Sequence, residues 1–462
     1  LAEEVVEFVS PRIPKGTEEY NPETPENLVP DQLYAKSAIL IEADTGEVIF
    51  EKNADDIMYP ASTTKILTAL LGIQYGDMDQ VVTISDQAVQ VDPDSSLIPL
   101  EAGETIAFRD LLYGTILRSG NEGANAIAET ISGNVNDFVG LMNQVAQQIG
   151  CTNTHFQNPH GLHDDNHYTT VRDMAKIAAV AMENDTFRQI VSTTKYTIPK
   201  SNLYRRKNIT NRINDLLVSS EDNKFYYPYA NGVKTGFHAR AGHCFVGSAE
   251  QLGVKLISVV FYTSSNGRWY DTQKLMEYGF AKYVSISPMD LYNMNPLLIE
   301  TSGFSLTDSD MGKLKLDLVP IQQNNIKIIT TKEKLEQMSR DLYNTSLVEY
   351  IRDFRAPVSA GETMGTLTYI SDRTGESASF NLVANRTIDK RENAPLSISE
   401  IEAYSLADSN IFPKITIELV ILWLIPPIVL YVIITLIAKL FDRFSPKSKN
   451  KKLPKFRGRR YK

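Results

Sequence analysis

Tyr59-Pro60-Ala61-Ser62-Thr63-Thr64-Lys65-Ile66-Leu67-Thr68-Ala69-Leu70-Leu71 is the stretch whose reading decides the fold. The apolar run after Lys65 marks a buried helix, and Pro60 suits its start, where a missing N–H is no loss. Ser62 and Lys65 then stand at i and i+3, on one helix face, so the amine reaches the hydroxyl. Burial lowers a lysine's pKa toward that of a usable base. A serine is a poor nucleophile alone, and a neutral amine beside it repairs that. The helix N-terminus adds a partial positive charge that favours an anion forming near Ser62.

Outward from this pair, the residues from Phe108 to Val145 carry a helical pattern broken at Ser119–Gly123 and again at Ser132–Asn134. Ser119 and Asn121 fall on the first of these tight turns, where side chains can be presented into a cleft. Lys234-Thr235-Gly236 precedes two apolar strands, Cys244–Ala249 and Lys255–Phe261. A glycine after a strand lysine lets an extended substrate lie against the edge with no Cβ in the way. Decoys surround these motifs. Ser192-Thr193-Thr194-Lys195 has the same spacing as Ser62 and Lys65, but Tyr196–Pro199 reads as strand, which sends the two side chains to opposite faces. Ser132-Gly133-Asn134 closes a helix, and Ser264-Ser265-Asn266 is another triplet of a kind expected roughly once or twice by chance in a chain this long.

In order, Ser62/Lys65, Ser119/Asn121 and Lys234/Thr235/Gly236 form the three-part signature of β-lactamases and penicillin-binding proteins. The chain resembles the low-molecular-weight penicillin-binding proteins, the serine-type D-alanyl-D-alanine carboxypeptidase family. The match runs from about Lys36 to Tyr283 and is weaker across the β-rich residues that follow. Asn158-Pro159-His160-Gly161-Leu162 and Ala241-Gly242-His243-Cys244 carry it beyond the three motifs, as does the run from Ala356-Pro357-Val358 to Gly365-Thr366-Leu367.

The resemblance implies an α+β domain with an antiparallel sheet flanked by helices, and it implies roles. Ser62 attacks the carbonyl between two terminal D-alanines, with Lys65 as general base. Ser119 and Lys234 relay a proton to the leaving group, and Asn121 holds the substrate amide. Thr235 and Arg268 take the terminal carboxylate, with Gly236 beside them, and the N–H groups of Ser62 and Phe237 form the oxyanion hole. The implied partners are peptidoglycan stem peptides and β-lactam antibiotics as acylating inhibitors. His163 and His238 depart from the aspartate and threonine common at those positions. His160, His163 and His167 have a spacing reminiscent of a metal site, yet a polar loop explains them and serine acylation needs no metal or other cofactor. A β-lactamase is the nearest rival, but the E-x-x-L-N segment of its class A members is absent. D,D-endopeptidase or transpeptidase activity depends on cleft shape, which these motifs do not encode. A catalytically silent, membrane-tethered wall-binding module has no need of a nucleophile with two amines.

The chain has 462 residues and a net charge of −9, unevenly placed. Eleven Lys/Arg against one acid from Lys439 to Lys462 give the tail +10, leaving −19 on the rest, a poor match for nucleic acid. Leu419–Ala438 is twenty residues without a charge, enough to span a bilayer as a helix kinked at Pro426-Pro427. The positive-inside rule puts the tail in the cytoplasm and the catalytic domain outside, which requires a signal peptide already removed. The expected organisation is an extended acidic lead-in at 1–30 and the catalytic domain at 31–285. A β-sandwich at 292–392, a linker at 393–414, a transmembrane helix at 415–438 and a basic tail at 439–462 complete it. Cys151 and Cys244 are two free thiols or one bridge.

Overall fold

The computed structural model describes residues 19–392, apart from 205, 206, 221, 324, 325 and 372–374. The expected linker, transmembrane helix and basic tail lie outside the described residues. Among the described residues no helix is long and apolar enough to cross a membrane.

The strand Ser37–Glu42 is buried along its whole length. Such a strand lies between two packed layers, and its side chains divide accordingly by the period of two. Ala38 and Leu40 face a cluster holding Trp269, Leu275 and Met276. Ile39 and Ile41 face a second cluster with Leu67, Ile127 and Ile177. Val254–Thr263 alternates in the same way, Leu256 and Val260 to the first cluster, Ile257, Val259 and Phe261 to the second. The sheet runs Val48–Lys52, Ser37–Glu42, Val254–Thr263, Gly242–Gln251, Ala230–His238, antiparallel throughout. The strand carrying Lys234 is therefore an edge.

Gly267–Lys282 covers one face; Lys65–Tyr75, Asn121–Ser132 and Val171–Met182 build the other layer. Gly279 lets the first of these helices close on the sheet, since a Cβ there would lie 2.6 Å from Leu256 and 3.0 Å from Leu40. The helix at Val171 starts where Thr170 accepts from the Asp173 N–H, as its sequence predicts. Each fully buried Leu or Ile of the two clusters contributes about 1.5–3 kcal/mol.

Three features differ from the sequence reading. The acidic lead-in is not wholly solvated: Leu28 is buried, and just past the lead-in the N–H groups of Tyr34 and Ala35 donate to buried Asp271 on the helix Gly267–Lys282. Ser192 ends the helix Asp185–Ser192, donating to the carbonyls of Arg188 and Gln189, while Lys195 opens the next strand. Past Pro296 the region is β-rich as expected, but while Ile328–Thr331 pairs with Tyr283–Ile286, the other five described strands join in one sheet. Its order is Leu298–Glu300, Lys313–Pro320, Ser377–Ala384, Thr363–Ile370, Ser346–Tyr350. A helix, Lys332–Thr345, precedes the last of these, opened by Thr331 accepting from the Lys334 N–H. The chain forms two compact units: one reaches Pro296 and adds Leu318–Tyr350 and Gly365–Leu382, the other holds Leu297–Asp317, Ile351–Met364 and the chain from Val383. Cys151 and Cys244 are buried and unbridged.

Candidate active site

Ala61–Thr64 forms a tight 3-10 turn, and Lys65 is the first residue of the α-helix that continues from it. Ser62 thus sits in the turn, not in the helix proper. Ala61, just before it, has φ +46, a left-handed conformation that a residue with a Cβ adopts at a cost of about 1–3 kcal/mol.

Lys65 Nζ is fully buried and lies 3.0 Å from Ser62 Oγ, 2.7 Å from Asn121 Oδ1 and 2.6 Å from the His160 carbonyl. The two carbonyl oxygens can only accept, so they take two N–H bonds. In a neutral amine the remaining direction is the lone pair, and it faces the serine hydroxyl. Burial, and then the Lys234 ammonium, hold the Lys65 pKa well below the usual lysine value, with Glu122 opposing. Asn121 cannot be turned over without loss. Its Nδ2 donates to Ser95 Oγ at 2.9 Å, and that hydroxyl spends its own proton on the Asp92 carbonyl.

A second lysine–serine pair stands beside the first. Lys234 Nζ donates to Ser119 Oγ at 3.0 Å and to the Thr235 carbonyl at 3.0 Å. Ser119 is held at φ +67 between the helical segment ending at Arg118 and the helix opening at Asn121. Burial, then Arg212 and Arg268, pull the Lys234 pKa down to about 7.

Ser62, Ser119, Thr235, Gly236, Phe237 and Arg268 line one cleft, joined by Ser96, Arg212 and His243. A Cβ on Gly236 would lie 2.9 Å from the Pro60 carbonyl and 3.1 Å from the Ser62 nitrogen. The glycine therefore lets the edge strand close on the nucleophile turn itself, whereas its sequence position was read as making room for substrate. Arg268 donates to His243 Nδ1 at 2.8 Å and lies over the Trp269 ring, 4.5 Å from its centroid; burial lowers its pKa to about 10. Phe237 exposes 55% of its surface and stacks on His243.

The sequence motifs did not reveal Arg212, whose Nε donates to the Arg118 carbonyl, nor the carbonyl of His160. Backbone acceptors leave no mark in residue type, and Arg212 sits in a stretch without a spaced motif. The histidines disperse: His160 Nδ1 accepts from the Leu162 N–H, His163 faces Asp165, and His167 meets Thr64. His163 and His238 pack together with Tyr59, ring centroids 4.8–6.2 Å apart. Among the described residues no group of three or more His, Cys, Asp or Glu side chains is placed to hold a metal ion.

Comparison with known proteins gives the same assignment. The sequence model of the peptidase S11 family, D-alanyl-D-alanine carboxypeptidase, matches residues 23–265. D-alanyl-D-alanine carboxypeptidase DacF of Bacillus subtilis is 32% identical over 345 residues, covering 73% of this chain and 82% of the relative. Penicillin binding protein 5 from Haemophilus influenzae has a structure matching 79% of this chain and 100% of its own, at 29% identity and a TM-score of 0.51. The Streptomyces K15 DD-transpeptidase matches 55% of this chain and 100% of its own, at 34% identity and a TM-score of 0.50. With two lysine–serine pairs converging on one cationic cleft and these relatives on either side of it, the chain belongs to the peptidase S11 family of serine D-alanyl-D-alanine carboxypeptidases, the low-molecular-weight penicillin-binding proteins.

Proposed function

We propose that the substrate is a peptidoglycan stem peptide, whose terminal D-alanine is released through an acyl-enzyme on Ser62. The observation that carries this reading is the coordination of Lys65, whose two N–H bonds go to fixed carbonyls while its third direction faces Ser62 Oγ. In acylation Lys65 takes the hydroxyl proton as Oγ bonds to the carbonyl carbon. The N–H groups of Ser62 and Phe237 bind the developing oxyanion. Lys234, through Ser119, delivers a proton to the departing D-alanine nitrogen as the peptide bond breaks. The proton that Lys65 took passes across the cleft to the deprotonated Lys234, and water then attacks the ester with Lys65, neutral again, as base. The proton taken from water goes to Ser62 Oγ as the ester bond breaks, releasing the shortened peptide and restoring Ser62. Thr235 and Arg268 take the free carboxylate of the leaving residue; Arg268 is already held on the cleft by His243 and Trp269. Penicillin acylates the same serine but keeps its leaving nitrogen tethered, so its hydrolysis is slow. The uncharged stretch Leu419–Ala438 and the basic tail support a single membrane anchor with the catalytic domain outside the cytoplasm.

Product analysis on a pentapeptide ending in D-Ala-D-Ala tests the reaction, with free D-alanine expected. Arg268→Ala is expected to cut kcat/KM about ten- to a hundred-fold, the size of one or two charge-assisted hydrogen bonds. A substrate amidated at its C-terminus is expected to be poor for the wild type and nearly indifferent to that substitution. Equal handling of acid and amide substrates points instead to endopeptidase activity, and fast turnover of penicillin to a β-lactamase.

A further inference from the structure

The peptide bond between Ala61 and Ser62 has two ends with different surroundings. Its N–H end belongs to Ser62, one of the two oxyanion donors in the mechanism above. Its carbonyl end, on Ala61, accepts from Thr64 Oγ1 at 2.8 Å. Thr64 Oγ1 in turn lies 2.8 Å from His167 Nε2, and His167 Nδ1 lies 3.1 Å from the Gln157 nitrogen. A backbone N–H can only donate, so Nδ1 is the bare nitrogen and the ring proton is on Nε2. Nε2–H then donates to Thr64 Oγ1, and the threonine's own proton goes to the Ala61 carbonyl. Every proton in the chain from Gln157 through His167 and Thr64 to Ala61 has one place to be.

We propose that His167 is a positioning residue for acyl transfer, acting through Thr64 to fix the peptide plane whose other end is the Ser62 oxyanion donor. A peptide unit is rigid and planar, so holding its oxygen sets the direction of its N–H. Bonding to the oxygen also polarises the unit and strengthens the N–H as a donor. The plane needs holding, because Ala61 sits at φ +46 and has no steric preference for that conformation. The loop that carries His167 is moulded to the turn at several other points. Met58 and Thr169 exchange backbone hydrogen bonds, Thr68 Oγ1 donates to the Pro159 carbonyl, and a Cβ on Gly161 would fall 1.9 Å from the Ala61 oxygen. His167 is 2% exposed, and protonating it would set an Nδ1–H against the Gln157 N–H. Burial lowers its pKa to about 3, so the relay keeps its direction at neutral pH.

This inference rests on the acyl-transfer reading, and the experiment separates the two. Acylation by a fluorescent penicillin, and kcat and KM on a D-Ala-D-Ala peptide, are measured on the full chain for Ser62→Ala, Thr64→Val, Thr64→Ser, His167→Ala and the double variant Thr64→Val/His167→Ala. Surviving labelling in Ser62→Ala removes the acyl-transfer reading itself. With that control silent, Thr64→Val is expected to acylate about ten- to a hundred-fold more slowly, below the loss for deleting an oxyanion donor outright, with KM within about threefold. Thr64→Ser, which keeps the hydroxyl, is expected within about threefold of wild type. The double variant is expected to be no worse than the poorer single by more than about threefold, because both substitutions cut one chain. Thr64→Val acylating at the wild-type rate, a loss confined to KM, or losses that multiply in the double variant each overturn the proposal. Should His167→Ala fail to fold, the Thr64→Val and Thr64→Ser pair decides it alone.

Discussion

Three serines in this chain, Ser62, Ser192 and Ser448, have a lysine three positions on, and among the described residues only Ser62 has that lysine's nitrogen beside its oxygen. Ser62→Ala is expected to abolish covalent labelling by penicillin, while Ser192→Ala, removing a hydroxyl already bound to its own helix, keeps it; gel fluorescence after labelling checks both. The two active-site lysines set opposite limbs of a pH profile. Lys65 acts as the neutral amine, present above its depressed pKa, and Lys234 as the ammonium, present below about 7. Peptide kcat/KM should therefore rise as Lys65 deprotonates and fall as the pH passes through about 7. Lys234→Arg keeps the charge at every accessible pH, so the falling limb should vanish from the profile even as the maximum drops. The identities of Ser62, Lys65, Ser119, Asn121 and Lys234 were legible because each stands at a fixed offset from another. What Asn121 does before substrate arrives was not legible: its hold on Lys65 depends on Ser95, and no spacing ties those two residues together.

Elements were legible where a period or a cap announced them and illegible where short runs of mixed character did not. The helix at Val171 has Thr170 as its cap and buried residues at helical spacing, so the sequence reads as a helix opened by Thr169-Thr170 and running from Val171 into Met182, which is the range the structure shows. The helix Lys332–Thr345 buries only Ser339 and Leu342, so its apolar signal was too thin to stand out among neighbouring strands. Close contacts between loops and turns leave a glycine as their only trace. Gly161→Ala puts a methyl 1.9 Å from the Ala61 oxygen at φ +85, and is expected to destabilise by roughly 2–4 kcal/mol and slow acylation at least about tenfold; chemical denaturation and stopped-flow labelling read the two effects. The helix Gly267–Lys282 carries a titration of its own. Asp271 is fully buried, and desolvation raises its pKa from 3.8 to about 6 against the two N–H bonds it accepts. With the folded value above the unfolded one, its contribution is fully present below about pH 4 and is lost as the pH rises through about 6. That amounts to up to about 3 kcal/mol of slope, which Asp271→Asn should flatten in denaturation curves taken across this window.

At the scale of the whole molecule, every residue assigned to the chemistry precedes Tyr283, and the stretch read as a membrane anchor follows Pro413. A chain ending near Ser409 is expected to be soluble and to acylate like the full protein; a folded but unreactive product would show that the chemistry depends on what was removed. The two cysteines supply a clock for this larger unit. Both are free, both are buried, and desolvation lifts both thiols to about 12. Neither is a nucleophile in the native state, yet an opened chain offers both to an aromatic disulfide reagent. Thiol release under native conditions therefore times how often this unit opens. Since Cys151 follows the helix Val135–Gln148 and Cys244 lies in the strand next to the edge strand, their relative rates tell whether these two parts of the catalytic fold come apart together or one at a time.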